Sequence, residues 1–366
     1  MKDKTTAESA SSRDARIAGP GQSEQDLTQS GKGLKVSVLI PVRNEEASIR
    51  QLLDSLLNQT LKPAEIVITD GGSTDATPAI ISEYAGRGTT IRLIRESVAL
   101  PGRGRNLAAA QAANDWIAFI DAGIRPEPTW LQLLAERAKV EIDVDVVYGS
   151  YEPVSDTLFK RCAVMAYVSP PVEIEGKFVR SRFVASMLMK RSVWQAVGGF
   201  PEDLRSAEDL LFMNKVERAG FRIVRAPDAM VHWQVQSTPR LTFKRFMTYA
   251  RSNMRAGLWR QWQLAIFKRY GLLLVLVLPA IKFGANWLLV PLLLWVSMLV
   301  GRAAVAIWRN RRCYPGSIFE NIARMVVLVP LIAMLDAATI IGTLQWLATD
   351  RSYFQNGRMH AGEQEH

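Results

Sequence analysis

Residues 36–46 read VSVLIPVRNEE. A short apolar run ends at Pro41 and passes into a polar turn, as a buried strand does when it reaches a sheet's edge. Beyond Glu46, the residues Ile49, Leu52, Leu53, Leu56 and Leu57 recur at helical spacing. The same alternation continues outward. Apolar runs at Ile66–Thr69, Ile91–Ile94, Trp116–Ile120 and Val144–Tyr148 are separated by helical stretches at Thr77–Tyr84, Arg105–Ala113 and Pro128–Val140. Strands alternating with helices predict parallel βαβ units in a doubly wound, Rossmann-like α/β sheet. Such sheets bind ligands at the carboxyl ends of their strands. Pro41–Glu45, Asp70–Asp75 and Asp121–Gly123 should therefore share one rim.

After Pro153 the alternation is less regular. Met187–Met189 reads as a strand, Arg191–Ala196 as a helical turn and Val197–Pro201 as a loop. Leu210–Ala219 reads as a helix stopped by Gly220, and Phe221–Val224 as a last strand. The polar residues 1–34 cannot offset their ordering entropy and read as a flexible tail. They contain no apolar core of the kind a secretory signal needs, so the domain at 35–239 is expected on the cytoplasmic side.

The chain has 366 residues and a formal charge of +10, but the charge is unevenly placed. Thirteen Lys and Arg and no Asp or Glu lie between Asp228 and Glu320, leaving the rest of the chain slightly acidic. That distribution excludes a uniformly basic nucleic-acid binder and suits a segment beside an anionic bilayer. Phe283–Gly301 carries no charge, and Met325–Thr349 carries only Asp336. Both are long enough to cross a membrane. Tyr270–Ile281 makes a third span if Leu264–Phe267 joins it, with a turn at Phe283–Asn286. Residues 270–349 are thus expected to hold three transmembrane helices, with 350–366 as a C-terminal tail. The loop Arg309–Arg324 would lie inside, by its positive charge. Residues 240–269 mix Arg and Lys with large apolar side chains and read as a basic amphipathic interfacial segment. Asp336 needs a partner in an apolar setting, with Arg302 and Lys282 as candidates. Cys162 and Cys313 fit no metal-ligand spacing.

Four acidic residues at three places in the chain carry the chemistry. Asp70, ending a strand before Gly71, can accept hydrogen bonds from a nucleobase or ribose, or can serve a turn. Asp121 can bind a divalent cation, which would neutralise a diphosphate leaving group. Glu208–Asp209 opens a helix, where negative charge is favourable, and either residue could act as a general base.

Taken together, VLIPVRNEE (38–46), IVITDGGSTD (66–75), GRN (104–106), WIAFIDAG (116–123), GGFPE (198–202) and Glu208–Asp209 resemble glycosyltransferase family 2 over residues 35–235. The resemblance implies a GT-A fold followed by an α-helical transmembrane region. It also implies an inverting enzyme that moves a sugar from a nucleotide-sugar donor. The acceptor would be a hydroxyl or phosphate of a membrane lipid or lipid-linked saccharide. By that resemblance Asp209 is the catalytic base, with Glu208 as fallback. Pro41, Arg43, Glu45, Asp70, Gly71, Arg105 and Asp121 frame the nucleotide sugar. A cation, Mg²⁺ or Mn²⁺, would sit on Asp121 and His232. The sequence departs from the family's D-x-D at its second acid, where it has Gly123, and this puts metal use in question. LWRQWQ (258–263) has the residue types of the processive synthases' Q-x-x-R-W but not the spacing, which favours transfer of single sugars. The competing reading is a catalytically degenerate nucleotide-sugar-binding or scaffold protein of a polysaccharide assembly complex, supported by Gly123. A nicotinamide enzyme is disfavoured because no G-x-G-x-x-G follows the first strand.

Overall fold

The computed structural model describes residues 33–174 and 176–349. Apart from residues 33–34, the two expected tails lie outside that range. The first half alternates as the sequence predicts: β1 (Val36–Val42), α1 (Ile49–Leu57), β2 (Glu65–Asp70), α2 (Thr77–Ser82), β3 (Thr90–Arg95), α3 (Pro101–Gln111) and β4 (Trp116–Phe119). There follow β5 (Ile124–Pro126), α4 (Trp130–Val140), β6 (Val146–Val154), α5 (Leu158–Tyr167), the hairpin β7 (Val172–Ile174) and β8 (Lys177–Val179), and β9 (Met187–Lys190). The sheet domain closes with α6 (Arg191–Ala196), α7 (Glu208–Arg218) and β10 (Ile223–Gln234).

Eight strands form one sheet in the order β3-β2-β1-β4-β9-β6-β10-β5. β1 pairs in parallel with β2 on one side and with β4 on the other, so the winding reverses between β1 and β4. A crevice opens at the carboxyl ends of strands at such a reversal. The sheet is mixed: β9 runs antiparallel to both β4 and β6, and β5 runs antiparallel to β10. Leu39, Val67, Phe119, Tyr148, Phe200 and Phe212 are buried in the main core. Phe200 stacks on Phe212 with ring centroids 3.8 Å apart, which fastens the GGFPE loop to α7. Asn106 of GRN holds the same loop from the other side. Its Nδ2 donates to Phe200 O and Glu202 Oε1, and its Oδ1 accepts from Phe200 N and Trp194 Nε1. All four of the amide's hydrogen-bonding positions are thereby used.

Beyond the sheet come α8 (Pro239–Arg255), α9 (Trp259–Trp262), α10 (Leu264–Val275), α11 (Ala280–Phe283), α12 (Leu289–Arg309) and α13 (Ile318–Thr349). Three stretches are long and apolar enough to cross a membrane: Leu264–Phe283, Ala285–Arg309 and Ile318–Thr349. The break between the first two falls at Gly284, whose φ of 81° favours glycine. The three differ in what surrounds them. No residue of the first's apolar window is fully buried, whereas 44% of the third's is. α5 docks there: Cys162, Ala163 and Met165 pack with Leu299 and Ala303 of α12 and Leu328, Leu331 and Ile332 of α13. Further along α13, α8 approaches so closely that a Cβ on Gly342 would lie 2.5 Å from the Met247 carbonyl oxygen. The segment expected at the interface is thus packed on α13 along one face. The α12–α13 loop also touches the sheet domain, with Ser155 Oγ donating to Tyr314 Oη at 3.2 Å.

Candidate active site

The crevice at the sheet reversal is one end of a cavity of about 2040 Å³, larger than a typical small-molecule pocket. Its rim is made by two laced loops. Asn44 N donates to Ser73 Oγ, Thr74 N to Asn44 Oδ1, Glu45 N to Thr77 Oγ1, and Ala76 N to Glu46 Oε2. The lacing presents Pro41, Arg43 and Glu45 to the cavity. Gly71 also lines it, and a Cβ there would lie 2.5 Å from the Ala99 carbonyl oxygen. That close approach explains a glycine after β2. Asp70 sits behind the rim instead. It is 4% exposed, and its Oδ1 accepts from Ser73 N at 3.0 Å. The turn role that its sequence allowed is the one visible in the fold.

Deeper in, Arg105 of α3 is bracketed by two carboxylates. Its Nη2 lies 2.7 Å from Asp121 Oδ1 and its Nη1 2.8 Å from Glu208 Oε1. Burial disfavours a charged guanidinium, but the fields of Asp121, Glu208 and Asp209 outweigh it and hold Arg105 protonated. Glu208 and Asp209 begin α7, where the unpaired amides of the first turn favour negative charge. Burial still pushes both carboxyls above their ordinary range, against the pull of Arg105. Burial likewise raises Glu45. Ala207, immediately before the pair, is a non-glycine residue at φ 73°, a left-handed conformation that costs an L-residue energy. Thr69 Oγ1, Arg105 Nε, Ser206 Oγ and Glu208 Oε2 are buried there without a hydrogen-bond partner. Such groups are costly unless a ligand or water satisfies them.

Could a metal be held here? Asp121 is the open acid, with its side chain 38% exposed. His232 lines the cavity too, but its Nε2 hydrogen-bonds Glu127. Among the described residues, no three His, Cys, Asp or Glu side chains converge on one point. Mg²⁺ is commonly held by one or two carboxylates together with substrate phosphates. The residues therefore fit a cation that arrives on a diphosphate, and do not fit a preassembled metal centre. Gly123 faces open space, with no atom within 4 Å of where a Cβ would stand.

The structure thus brings Pro41, Arg43, Glu45, Gly71, Arg105, Asp121, Glu208, Asp209 and His232 to one cavity, with Asp70 just behind it. Sequence reasoning missed Ser206 and the strained Ala207. It also missed that the cavity continues past Tyr151, Phe183 and Trp233 into the helical region.

Residues 37–180 match the family described as Glycosyl transferase family 2. The chain is 34% identical over 188 residues to EpsH of Bacillus subtilis (strain 168), covering 48% of this chain and 54% of that protein. It is 25% identical over 233 residues to the O-antigen chain rhamnosyltransferase RfbN of Salmonella typhimurium, covering 58% and 70%. The chain thus spans about half the length of EpsH. Among solved structures, the mannosyltransferase PcManGT of Pyrobaculum calidifontis, in complex with GDP-Man and Mn²⁺, is 21% identical. It covers 87% of this chain and 88% of that one with a TM-score of 0.51, and shares the fold.

Proposed function

We propose that the protein is an inverting, membrane-associated glycosyltransferase, a reading that starts from the match of residues 37–180 to the family described as Glycosyl transferase family 2. It would move a sugar from a nucleotide-sugar donor to a hydroxyl or phosphate of a membrane lipid or lipid-linked saccharide. The observation that carries the reading is the Glu208–Asp209 pair at the head of α7, joined through Arg105 to Asp121 at the mouth of the sheet crevice.

In this reading the donor's nucleotide lies against the Pro41–Glu45 rim and Gly71, and its diphosphate faces Asp121. The Asp209 carboxylate accepts the proton of the acceptor hydroxyl while that oxygen bonds to the anomeric carbon from the face opposite the leaving group. The bond from the anomeric carbon to the diphosphate oxygen breaks, and the nucleoside diphosphate departs with its electron pair. Asp121 and, if it turns from Glu127, His232 would hold a divalent cation, which supplies Lewis-acid stabilisation of the departing diphosphate. Arg105 keeps Glu208 and Asp121 in place and leaves Asp209 to do the proton transfer. Glu45, Asp121, Glu208 and Asp209 would repel a diphosphate, and a cation would offset that repulsion together with Arg43 and Arg205, which also line the cavity. The apolar helices support a membrane acceptor and a catalytic domain on the cytoplasmic side. The contact of the basic α12–α13 loop with that domain supports the same orientation.

The test is donor binding and hydrolysis by the detergent-purified full chain across a panel of nucleotide sugars, with and without Mg²⁺ or Mn²⁺. Selective binding that strengthens with metal is expected. Folded protein that binds no donor would overturn the transferase reading in favour of the scaffold one.

A further inference from the structure

The cavity does not end at the acids. It continues between α8, α10, α12 and α13, where it is lined by Met298, Val305, Ile332 and Leu335. Three arginines from those helices, Arg269, Arg302 and Arg309, face the same space. The one acid lining that part is Asp336, and it is already committed. Arg302 forms a two-pronged ion pair with it, Nη2 lying 3.0 Å from Oδ1 and Nη1 bonding Oδ2. Tyr270 Oη donates to Oδ2 at 3.1 Å and is itself held by Trp295 Nε1 at 3.3 Å. Asp336 is 2% exposed in its side chain, whereas Arg302 remains 32% exposed. The acid therefore orients an arginine that still opens to the cavity. Arg269 goes further: its Nη1 is buried and has no hydrogen-bond partner. A guanidinium nitrogen buried among apolar helices, with no hydrogen-bond partner among the described residues, is costly unless a ligand supplies one.

We propose that this helical arm binds the phosphate of the acceptor, with Arg269 and Arg302 as its ligands and Asp336 as the residue that positions Arg302. The acceptor class is then a phosphate ester that joins a long apolar chain to a hydroxyl-bearing head group, rather than an uncharged glycolipid. This rests on the glycosyltransferase reading, because it is the shared cavity that makes the bound amphiphile an acceptor. The chemistry at each point agrees with it. Guanidinium groups match phosphate oxygens in pairs. The apolar walls suit a chain leaving toward the bilayer. The acids at the far end await a hydroxyl rather than a second anion.

The test uses the detergent-purified full chain and follows its tryptophan fluorescence on titration with farnesyl phosphate, phosphatidic acid, farnesol and inorganic phosphate. Nucleotide-sugar binding is measured in parallel. Farnesyl phosphate or phosphatidic acid should bind at least about tenfold more tightly than farnesol, the scale of one charge-assisted hydrogen-bond pair. Whichever of the two binds more tightly identifies the carrier as an isoprenoid or a glycerolipid. Arg269→Gln should remove most of the preference while leaving donor binding intact. The double variant Arg302→Gln/Asp336→Asn, which strands no charge, should reduce it as well. Equal binding of phosphate and alcohol, or a preference unchanged in both variants, would overturn the assignment. Inorganic phosphate competing as well as the amphiphiles would also overturn it, since the apolar walls would then contribute nothing. Donor binding that fails in the wild-type chain defeats the transferase reading instead, and the two failures are read in separate channels.

Discussion

The two ends of the cavity treat an arginine in opposite ways. At the sheet end, Arg105 is 5% exposed in its side chain and lies between Asp121 and Glu208, with Asp209 beside them. At the helical end, Arg302 faces one carboxylate and Arg269 faces none in hydrogen-bond contact at Nη1. At the first end the buried arginine is committed to carboxylates, which leaves Asp209 outside its grip and suits proton acceptance. The second has more base than acid and suits an incoming anion. One cavity can thus hold two charged substrates without placing their like charges together.

The largest effect should come from the acid that Arg105 does not grip. Asp209→Asn should lower turnover by about 10²–10⁴-fold, the range of a lost general base, with donor binding largely kept. Steady-state transfer alongside donor titration checks this, and full turnover would remove Asp209 from its role. The pH profile sharpens the point. Because burial raises the Asp209 and Glu208 carboxyls, activity should fall on acidification at a pH above the usual carboxylate range. Stability should move the other way in that window: a carboxyl whose folded pKa is raised binds more protons when folded, so stability is gained as pH falls through it. Melting temperature and rate, followed over the same pH series, should therefore diverge.

Next in size is the grip itself. Arg105→Met leaves Glu208 buried without its partner and should cost about 3–5 kcal/mol, the scale for stranding one member of a buried pair. At the other end, replacing both members of Arg302–Asp336 by Met and Leu should be near neutral for stability, because no charge is stranded. Thermal unfolding of the two variants in one detergent makes the comparison. Equal losses would mean that the ends are built alike after all.

A smaller change tests the cation. Gly123 opens on empty space, so Gly123→Asp should be tolerated and should add a second acid beside Asp121. Metal titration of donor binding should show severalfold tighter apparent Mg²⁺ affinity, on the order of one added carboxylate ligand. An unchanged metal response would move diphosphate stabilisation to arginines such as Arg43 and Arg205.

The sheet end is far more legible in the sequence than the helical one, for a physical reason. Around β1, β2 and β4, strand, turn and helix follow one another locally, so the rim and the acids can be read from short windows. β9 is visible as MLMK, but its antiparallel setting is not, because an apolar run looks the same in either direction. β10 reads in sequence as Phe221–Val224 and runs instead to Gln234, its latter part made regular by pairing with β6 and β5. α5 escapes a local reading because its apolar face is satisfied by α12 and α13, more than a hundred residues later in the chain. Asp336 announces that it needs a partner, and Arg302 is one of two candidates. Arg269, by contrast, looks like a residue at a membrane edge. Only the fold turns it into the wall of a cavity that begins at Pro41.

The subtlest prediction concerns the strain beside the proposed base. Ala207 holds φ 73° directly before Glu208, and its Cβ should cost about 1–2 kcal/mol in that left-handed conformation. Ala207→Gly removes this cost but loosens the unfolded chain by about 0.5–1 kcal/mol. The net gain in stability should therefore be under about 1 kcal/mol. The rate should fall rather than rise, because a glycine permits α7 to begin at other angles and Asp209 then samples positions away from the acceptor. Stability up with rate down would tie the strain to the site, as expected where a rigid backbone aims a reacting group. A variant that gains stability and keeps its rate would show that Asp209 is aimed by the Arg105–Glu208 pair beside it and the Phe200–Phe212 stack alone, with the backbone at Ala207 merely accommodating them.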